Sequence, residues 1–440
     1  MNTHSTPRWI LAASTTAVAA LLLAGCAPGA EEPATGDTAN AIGEPGATDI
    51  SGEVTFWHAY GTDSSEVSTL REVIIPKFNE TYPDVTVKDV AVPWDELHKK
   101  LVTGVAGDVL PDLVRADLAW VPELANLGVL VPLSEDMPDY QELADRTYPG
   151  MVATNRWQGE YYGLPLDTNT RILMYNSETL AAAGLDAPPA TVDELREVAP
   201  ALKDAGAYAF ADNGASGWNV LPWIWSAGGE ITDEDVTVAT GYLNSAESVA
   251  GIQTLVDLYA DGHLPDIILG DSGGLSTSDG LAQGDYATIL DGPWMWSIFE
   301  TQYPDFELHA AQVPAGAGGS ISVVGGEDIV LTQSSKNKAA AAEFMRFLLS
   351  DWAQLEFAKI GQMSVLKDLT DQLVDVNAYY EPFIEQLQTA KNRPATPAWS
   401  EIDTILQDEV RAAIRGDKSV QEALDTAAGE ADALLARYQG

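Results

Sequence analysis

Three polar side chains, Asp167, Asn169 and Arg171, lie close together in a stretch that is otherwise apolar and strand-forming. Residues 163–176 have the sequence GLPLDTNTRILMYN, so one short strand is interrupted and a second begins near Ile172. Carboxylate, amide and guanidinium groups all form directional hydrogen bonds with polar ligands. This pattern is typical of a chain that crosses between two lobes beside a solvent-filled cleft. An ordinary hairpin with a polar turn is the alternative interpretation.

A second group of candidate residues lies where predicted strands end. After residue 52 the sequence alternates between strand-like runs and amphipathic helices, which indicates an α/β fold with a largely parallel sheet. Ligands of such sheets bind beyond the carboxyl ends of the strands. The candidate side chains at these ends are His58, Tyr60 and Asp117.

Hydrophobic spacing predicts the positions of the elements that must hold these residues. Apolar residues recur at intervals of three and four in the helical segments. Helices are predicted at 64–82, 94–105, 177–183, 192–205, 246–260, 338–349 and 401–415, with a last helix after 419. Strands are predicted at 54–58, 85–90, 112–117 and 286–290.

Composition limits the classes of partner. The chain has 440 residues, of which 46% are hydrophobic, so a two-lobed unit with a sizeable core is expected. It carries 66 acidic residues against 23 Lys plus Arg, a formal net charge of −43. This charge repels nucleic-acid phosphates, so no nucleic-acid partner is expected. One cysteine and five scattered histidines predict no metal site, and no cofactor is expected.

The N-terminal residues predict an exported protein. Residues 1–26 combine Arg8 with an apolar run and end in Leu-Ala-Gly-Cys, which resembles the bacterial lipobox. In that kind of signal peptide the cysteine, here Cys26, is lipidated and becomes the first mature residue. A cleaved signal with an incidental cysteine is the alternative. Residues 27–51 lack a hydrophobic period and are rich in Ala, Gly, Pro and Thr, which predicts a flexible tether.

Short motifs in a shared order make the chain similar to the extracellular solute-binding lipoproteins of bacterial ABC importers, in the branch that includes maltose- and other sugar-binding proteins. After the lipobox the motifs are VTFWH at 54–58, PDLV at 111–114, GLP at 163–165, DGPWMW at 291–296, KNK at 336–338 and GDKSVQEAL at 416–424. The resemblance implies two discontinuous α/β lobes of the type II-like periplasmic-binding-protein fold, joined by several crossing segments. We expect the first lobe at 52–168 and 313–350, and the second at 169–312 and 351–440.

The resemblance also implies ligand-binding residues. Asp117 is similar to the family's carboxylate that accepts sugar hydroxyls, and Trp294 matches an aromatic platform under a sugar ring. Trp218 lies near another aromatic position. Arg393 resembles an arginine that reaches the cleft in disaccharide binders. Asn169 falls where maltose-type relatives have a glutamate, so the hydrogen bonds at that position are expected to differ.

Two further candidates come from local sequence and have structural alternatives. Trp223, like Trp294, follows a proline in a Gly-containing segment, which favours a ligand site, although core packing explains most tryptophans. Trp296 is expected in the core. Asp117 and Asp167 are candidate ligand residues with helix capping as their alternative, and Arg171 alternatively pairs with a local acid.

A third local candidate is the pair Glu327 and Asp328. It follows Gly326, where the backbone can approach a ligand closely. A solvated strand start explains the two acids equally well.

The predicted function is that of a lipid-anchored receptor, not an enzyme. A monomer on the outer face of the cell membrane would capture a di- or oligosaccharide between closing lobes and deliver it to the permease subunits of an ABC importer. A secreted glycoside hydrolase is the rival, because paired carboxylates also serve glycoside hydrolysis. A further option keeps the fold but replaces the sugar with glycerol phosphate or another polyol. A phosphate ligand would require more basic residues near the cleft than the sequence shows.

Overall fold

The computed structural model describes residues 40–439 except 63, 108 and 271–273. The predicted signal peptide, the predicted lipidation site Cys26 and the first part of the predicted tether lie outside the described residues.

The strands in the described part of the chain form two larger sheets and one short hairpin. The first sheet has the order β2-β1-β3-β10-β6, the second the order β8-β7-β9, and β4 pairs with β5. In the first sheet β1 runs parallel to β2 and β3, whereas β10 is antiparallel to β3 and β6. The strands are β1 Gly52–His58, β2 Val85–Ala91, β3 Leu113–Asp117, β4 Arg156–Trp157, β5 Glu160–Tyr161, β6 Gly163–Thr170, β7 Ile172–Tyr175, β8 Thr288–Asp291, β9 His309–Ala311 and β10 Val324–Leu331.

Helices surround these sheets, and each helical range predicted from the spacing of apolar residues contains at least one helix. The α-helices are α1 Ser65–Thr69, α2 Ile75–Thr81, α3 Trp94–Gly107, α4 Val121–Asn126, α5 Leu133–Asp136, α6 Tyr140–Arg146, α7 Pro149–Thr154, α8 Ser177–Ala182, α9 Val192–Asp204, α10 Gly217–Ser226, α11 Ala246–Ala260, α12 Thr277–Gln283, α13 Trp294–Gln302, α14 Lys338–Leu348, α15 Asp351–Ala358, α16 Thr370–Val376, α17 Tyr380–Leu387, α18 Trp399–Arg415 and α19 Val420–Leu435. Short 3₁₀ turns lie at Asp266–Leu269, Lys367–Leu369 and Ala436–Tyr438.

The predicted helix at 64–82 is one helical run with a wider turn in its middle. The π-helical turn Leu70–Ile74 separates α1 from α2, and Pro76 follows directly in the first turn of α2. Proline has no N–H and its ring collides with the preceding turn, so a regular α-helical ladder cannot continue through this point.

One stretch of chain contributes to both larger sheets. β6 pairs with β10 in the first sheet, and β7 pairs with β8 and β9 in the second. The chain therefore crosses between two lobes at Arg171, and the alternative of a hairpin at this point is wrong. The predicted interruption is shorter than expected, because Asp167 and Asn169 lie within β6.

Each lobe has its own hydrophobic core. The first core packs Val54, Phe56, Ile329 and Phe344 on one face of the first sheet, while Leu97 and Val114 belong to a cluster on its other face. Both faces of this sheet are thus covered, as expected for strands joined by helical crossovers. The second lobe is built around a separate core of helices α9–α11, α18 and α19 against the second sheet.

Packing shifts the expected lobe boundaries. Ala353, Phe357 and Val365 belong to the first core, so the segment that follows residue 350 packs on the first lobe rather than on the second. Conversely, Val313 and Val323 belong to the core of the second lobe. The eight residues of α15 carry no clear apolar stripe, so their sequence pattern does not distinguish between the two lobes.

Part of the predicted tether is docked on the first lobe. Ile42 is buried in the first core, Asn40 Oδ1 accepts a hydrogen bond from Lys338 N at 3.0 Å, and Gly46 N donates to Glu343 Oε1 at 3.0 Å. The folded unit therefore starts before residue 51. Two apolar side chains, Ile42 and Ile50, and a few polar contacts hold the segment, so no hydrophobic period marks it in the sequence.

Candidate functional site

A buried arginine, Arg115 on β3, organises the polar face of the first lobe. Its Nε donates to Asp167 Oδ2 at 3.0 Å and its Nη2 donates to Glu327 Oε2 at 2.6 Å. A third acceptor is Gln362 Oε1 at 3.1 Å, and the Tyr60 ring centroid lies 4.5 Å from the guanidinium carbon. The strands β3, β10 and β6 are neighbours in that order, so their facing side chains converge on this charge.

Two acids, Asp167 and Glu327, contact the single positive charge of Arg115, so the charges in this network are not fully paired. Burial opposes the charge on Arg115, but the carboxylates of Asp167 and Glu327 raise its pKa. Burial raises the pKa of Glu327 well above its usual value; Arg115 opposes this shift, and the nearby charge of Asp167 adds to it. Asp167 Oδ1 has no hydrogen-bond partner among the described residues. A proton held by Glu327 relieves the repulsion between the two acids.

Asp328 faces a different environment from Glu327, although the two are consecutive. The pairing of β10 with β6 changes register between them, and Asn155 Nδ2 donates to Asp328 Oδ1 at 2.9 Å. Asp328 is fully buried, and burial raises its pKa to about 8. The interpretation of these two acids as a solvated strand start is therefore wrong. Neither is free in solvent, and Asp328 is a neutral internal hydrogen-bonding group at neutral pH.

The space beside Asp167 is small. A cavity of about 10 Å³ lies there, and its lining includes Tyr60, Asp167 and Gln362. This volume suits one water molecule and not a sugar ring.

The two lobes meet at an ion pair between Asp117 and Arg393. Arg393 Nη2 lies 2.8 Å from Asp117 Oδ1, and Asp117 Oδ1 also accepts a hydrogen bond from Ala119 N at 2.8 Å. Nε and Nη2 of Arg393 have no hydrogen-bond partner among the described residues. The guanidinium is therefore close to the Asp117 carboxylate but not aligned for a hydrogen bond with it. Donors held close to a carboxylate but unsatisfied can turn to a ligand hydroxyl.

Two indole rings face each other in the second lobe, near the crossing strand. The ring centroids of Trp218 and Trp294 lie 6.3 Å apart at an interplanar angle of 32°. Both rings are only partly buried. The Trp294 side chain is held by a hydrogen bond to the Asp291 carboxylate, and burial raises the pKa of Asp291 to about 6 while Arg171 opposes the shift.

Asn169 and Gly325 lie directly beside this aromatic pair. A Cβ atom on Gly325 would be 2.1 Å from Asn169 Oδ1 and 2.6 Å from Trp218 Cζ3, so only glycine fits between them. Asn169 Oδ1 is buried and has no hydrogen-bond partner among the described residues. An unsatisfied buried amide oxygen beside an exposed indole face provides an acceptor for a ligand hydroxyl.

Contacts connect the aromatic pair to the interlobe ion pair. Gly217, which precedes Trp218, donates its N–H to Asp403, and the charges of Arg393 and Asp117 act on the same carboxyl group. Burial raises the pKa of Asp403. Asp117, Asn169 and Trp294 thus belong to one connected group of side chains at the junction of the lobes.

Arg171 is engaged internally. Its guanidinium donates to Asp212 Oδ1 at 2.8 Å, to the Leu290 carbonyl, and to the carbonyls of Trp218 and Asn219 at 3.2 and 3.3 Å. The alternative of a local acid partner therefore describes its contacts. Nη1 and Nη2 of the arginine hold the Trp218 backbone in place, and its buried Nε has no hydrogen-bond partner among the described residues.

Two other candidates, Trp223 and His58, lie away from this group. Trp223 is packed in the second core with Phe210 at a centroid distance of 5.0 Å, so core packing explains it. His58 is fully buried, bonds Asp89 at 3.3 Å, and has its pKa lowered to about 4 by burial. Gly326 is the neighbour of Gly325 in β10. Its φ is +131°, and a Cβ atom there would lie 2.3 Å from the Asp167 carbonyl oxygen, so this position requires glycine.

Sequence reasoning missed three residues of this site. Arg115, Asp291 and Asp403 all contact or adjoin the residues described above. Arg115 carried a signal, because a lone charge within an apolar strand must find buried partners. Asp403 carried none, since its spacing on α18 is that of an ordinary polar residue. Trp296 was assigned to the core, where it stacks on Tyr379 at 4.8 Å.

The described part of the chain has neither a metal-binding cluster nor a membrane-spanning helix. No group of three or more His, Cys, Asp or Glu side chains there is arranged to hold a metal ion. None of the described helices is long and apolar enough to cross a bilayer.

Two α/β lobes that meet at acids, an arginine and a pair of tryptophans define a two-lobed binding protein. The family model of bacterial extracellular solute-binding proteins matches residues 61–355, and the chain belongs to this family. A lipoprotein of uncharacterised function from the oleD 5′ region of Streptomyces antibioticus is 30% identical over 360 residues, covering 76% of this chain and 71% of the relative.

Solved structures show the same fold. The GacH receptor of Streptomyces glaucescens is 25% identical with a TM-score of 0.79, covering 89% of this chain and 100% of the other. The cyclic α-maltosyl-1,6-maltose binding protein of Arthrobacter globiformis is 28% identical with a TM-score of 0.74, covering 88% and 100%. These likenesses confirm the predicted two-lobed α/β fold and the predicted family.

Proposed function

We propose that this protein is the substrate-binding subunit of an ABC importer, anchored outside the cell by a lipid on Cys26, and that it captures a di- or oligosaccharide between its lobes. The observation that carries the proposal is the Trp218–Trp294 pair, which lies beside the unsatisfied Asn169 amide and is connected to the Asp117–Arg393 ion pair. Aromatic faces and polar rims in one place match the two chemical surfaces of a sugar.

Sugar recognition follows from these contacts. The C–H faces of a pyranose pack on indole rings, each contact adding on the order of 1 kcal/mol by analogy with aromatic pairs. Hydroxyl groups accept from Arg393 and donate to Asp117 or Asn169. Similar proteins support a saccharide ligand, since the GacH receptor is described in complex with acarbose and the Arthrobacter globiformis protein binds a cyclic maltosyl maltose.

Binding is coupled to closure because each lobe supplies part of the site. Asp117 comes from the first lobe, whereas Trp218, Trp294 and Arg393 come from segments that pack on the second. A further contact joins Ser65 at the start of α1 to Ser297 on α13 at 3.0 Å. A ligand that touches both sets of residues stabilises the closed form, which the permease subunits then recognise.

A glycoside hydrolase is less well supported by this geometry. Glu327 and Asp328 have raised pKa values, as a general acid requires. However, Asp328 is fully buried and bonded to Asn155, while Glu327 is bonded to Arg115. An acid that protonates a glycosidic oxygen must contact the substrate, and these two face the protein interior.

Glycerol phosphate is less well supported than a neutral saccharide. Arg115 and Arg171 use their donors on internal acceptors, and Arg393 faces Asp117. A phosphate dianion placed here would also face Asp117 and Asp403, with only Arg393 to offset three negative groups.

A thermal-shift screen of a soluble form that begins at residue 27, without the lipidated cysteine, tests the proposal. Because Ile42 is part of the first core, this soluble form must retain the docked segment at 40–51. Mono-, di- and trisaccharides, glycerol phosphate and polyols are compared, and a di- or trisaccharide is expected to raise the melting temperature by several degrees.

Two results would contradict the proposal. A melting temperature raised by glycerol phosphate and by no saccharide would favour the other ligand class. Labelled oligosaccharide converted to shorter products by the purified protein, and not by its Glu327→Gln variant, would favour the hydrolase. Metabolic labelling with palmitate tests the anchor, with Cys26→Ser as the control that should lose the label.

A further inference from the structure

An aromatic stack on the first lobe lies outside the site described above. Trp94, at the start of α3, is 43% exposed, and it is the most exposed tryptophan of the described residues. Its ring centroid lies 5.1 Å from that of Trp120, and His98 contacts Trp120 at 5.0 Å. Trp120 is covered by these two neighbours, so Trp94 presents the open indole face.

The stack lies along the line where the two lobes meet. Trp120 N donates to the carbonyl of Asp117, whose carboxylate pairs with Arg393. On the other side, Glu123 Oε2 accepts a hydrogen bond from Ser400 Oγ at 2.8 Å, which is a contact between α4 of the first lobe and α18 of the second. Trp120 thus lies between two interlobe contacts.

Polar groups border the stack. His98 Nε2 and Glu123 Oε2 are 2.8 Å apart, and their side chains keep 27% and 21% of their surface exposed. A second nearby tryptophan, Trp57, has one face covered, because Lys100 Nζ lies 4.4 Å from its ring centroid. The exposed indole of Trp94, with an accessible carboxylate and imidazole beside it, repeats the combination of flat face and polar rim found at Trp218 and Trp294.

We infer that Trp94, with Trp120 behind it and Glu123 and His98 at its rim, is an outer saccharide subsite. It binds a sugar unit of a linear oligosaccharide that extends out of the interlobe cleft past Asp117. The inference rests on the proposed function and deepens it, since it assigns the protein a preference for chains longer than a disaccharide. Continuity with the interlobe contacts selects this occupant over an unrelated protein partner.

Titration calorimetry with maltooligosaccharides and cellooligosaccharides, from the disaccharide to the heptasaccharide, tests the subsite. In the better-bound series, the Trp94→Ala variant is expected to weaken binding of the longest chains about fivefold and to leave the disaccharide unchanged. Trp94→Phe keeps a flat ring and should restore most of the loss. Tyr242→Ala is the matched control, because Tyr242 is 38% exposed and lies in the loop before α11 of the second lobe.

The possible outcomes separate this inference from the proposed function. If the wild-type protein binds saccharides and Trp94→Ala matches it at every length, the subsite is overturned and the proposed function stands. An equal loss at every length, including the disaccharide, overturns it as well, because the effect then arises within the cleft or on closure. A wild-type protein that binds no saccharide overturns both.

Discussion

The two lobes contribute to the site in opposite ways. In the first lobe, Arg115 donates hydrogen bonds to Asp167, Glu327 and Gln362, so its charge is paired inside the protein. In the second lobe, Trp218 and Trp294 are only partly buried and show their faces at the junction. We propose that the first region is a fixed electrostatic framework and that the second is the surface that a ligand contacts.

The difference shows that a charged residue near a cleft is not evidence of a ligand contact by itself. Arg115 donates to three internal acceptors, whereas Arg393 keeps donors without hydrogen-bond partners among the described residues. Loss of a saturated buried charge leaves its partners unpaired and lowers stability. Loss of an exposed indole lowers affinity and leaves the fold unchanged. Stability and affinity therefore report on the two regions separately.

The largest effect is expected from Arg115→Met. The variant leaves Asp167 and Glu327 buried without their cation, so we expect the free energy of unfolding to fall by about 3–5 kcal/mol. Chemical denaturation measures this. The control is Arg146→Met, whose partner Asp351 is 64% exposed and whose loss should cost less than about 1 kcal/mol. Equal effects of the two substitutions would show that the first-lobe framework is not special.

A second effect concerns the buried acids of the same framework. In the folded protein Asp328 keeps its proton up to a pKa of about 8. An aspartate in the unfolded chain loses its proton near the usual pKa of 3.8. The folded state thus holds more protons between these values, so stability falls as pH rises through this window. The slope from this group approaches about 1.4 kcal/mol per pH unit.

Asp328→Asn removes this dependence. Asparagine keeps an acceptor for Asn155 and has no proton to lose, so the stability of the variant should fall less steeply from about pH 5 to about pH 7 than that of the wild type. Urea denaturation across this pH range measures both proteins. Parallel curves for the two proteins would mean that Asp328 is ionised in the native state.

The smallest effect in free energy is expected in the second lobe. Trp294→Ala should weaken saccharide binding at least about tenfold, roughly 1.4 kcal/mol, without unfolding the protein. Trp296→Ala is the matched control two residues away, because it stacks on Tyr379 and should lower stability more than affinity. An unchanged dissociation constant for Trp294→Ala would show that Trp294 does not contact the ligand.

Local patterns predicted much of the fold because they report on local physics. The spacing of apolar residues predicted 246–260 as a helix, and α11 spans Ala246–Ala260. The polar break after Leu166 predicted a crossing between lobes, and β6 and β7 do lie in different sheets. The same patterns assigned residues 351–369 to the other lobe and interpreted residues 40–51 as a tether. Both depend on which distant surface buries a short apolar segment, and this is not encoded within the segment.

The sequence by itself determined the two-lobed α/β architecture, the family and the chemical types of the candidate residues, because these follow from periodicity, composition and motif order. The tertiary structure alone decided which polar groups are already satisfied. Glu327 and Asp328 are neighbours in sequence, but a register change in β10 directs one to Arg115 and the other to Asn155. Whether a donor or acceptor is free for a ligand depends on partners far away in the chain, and only folding brings these partners together.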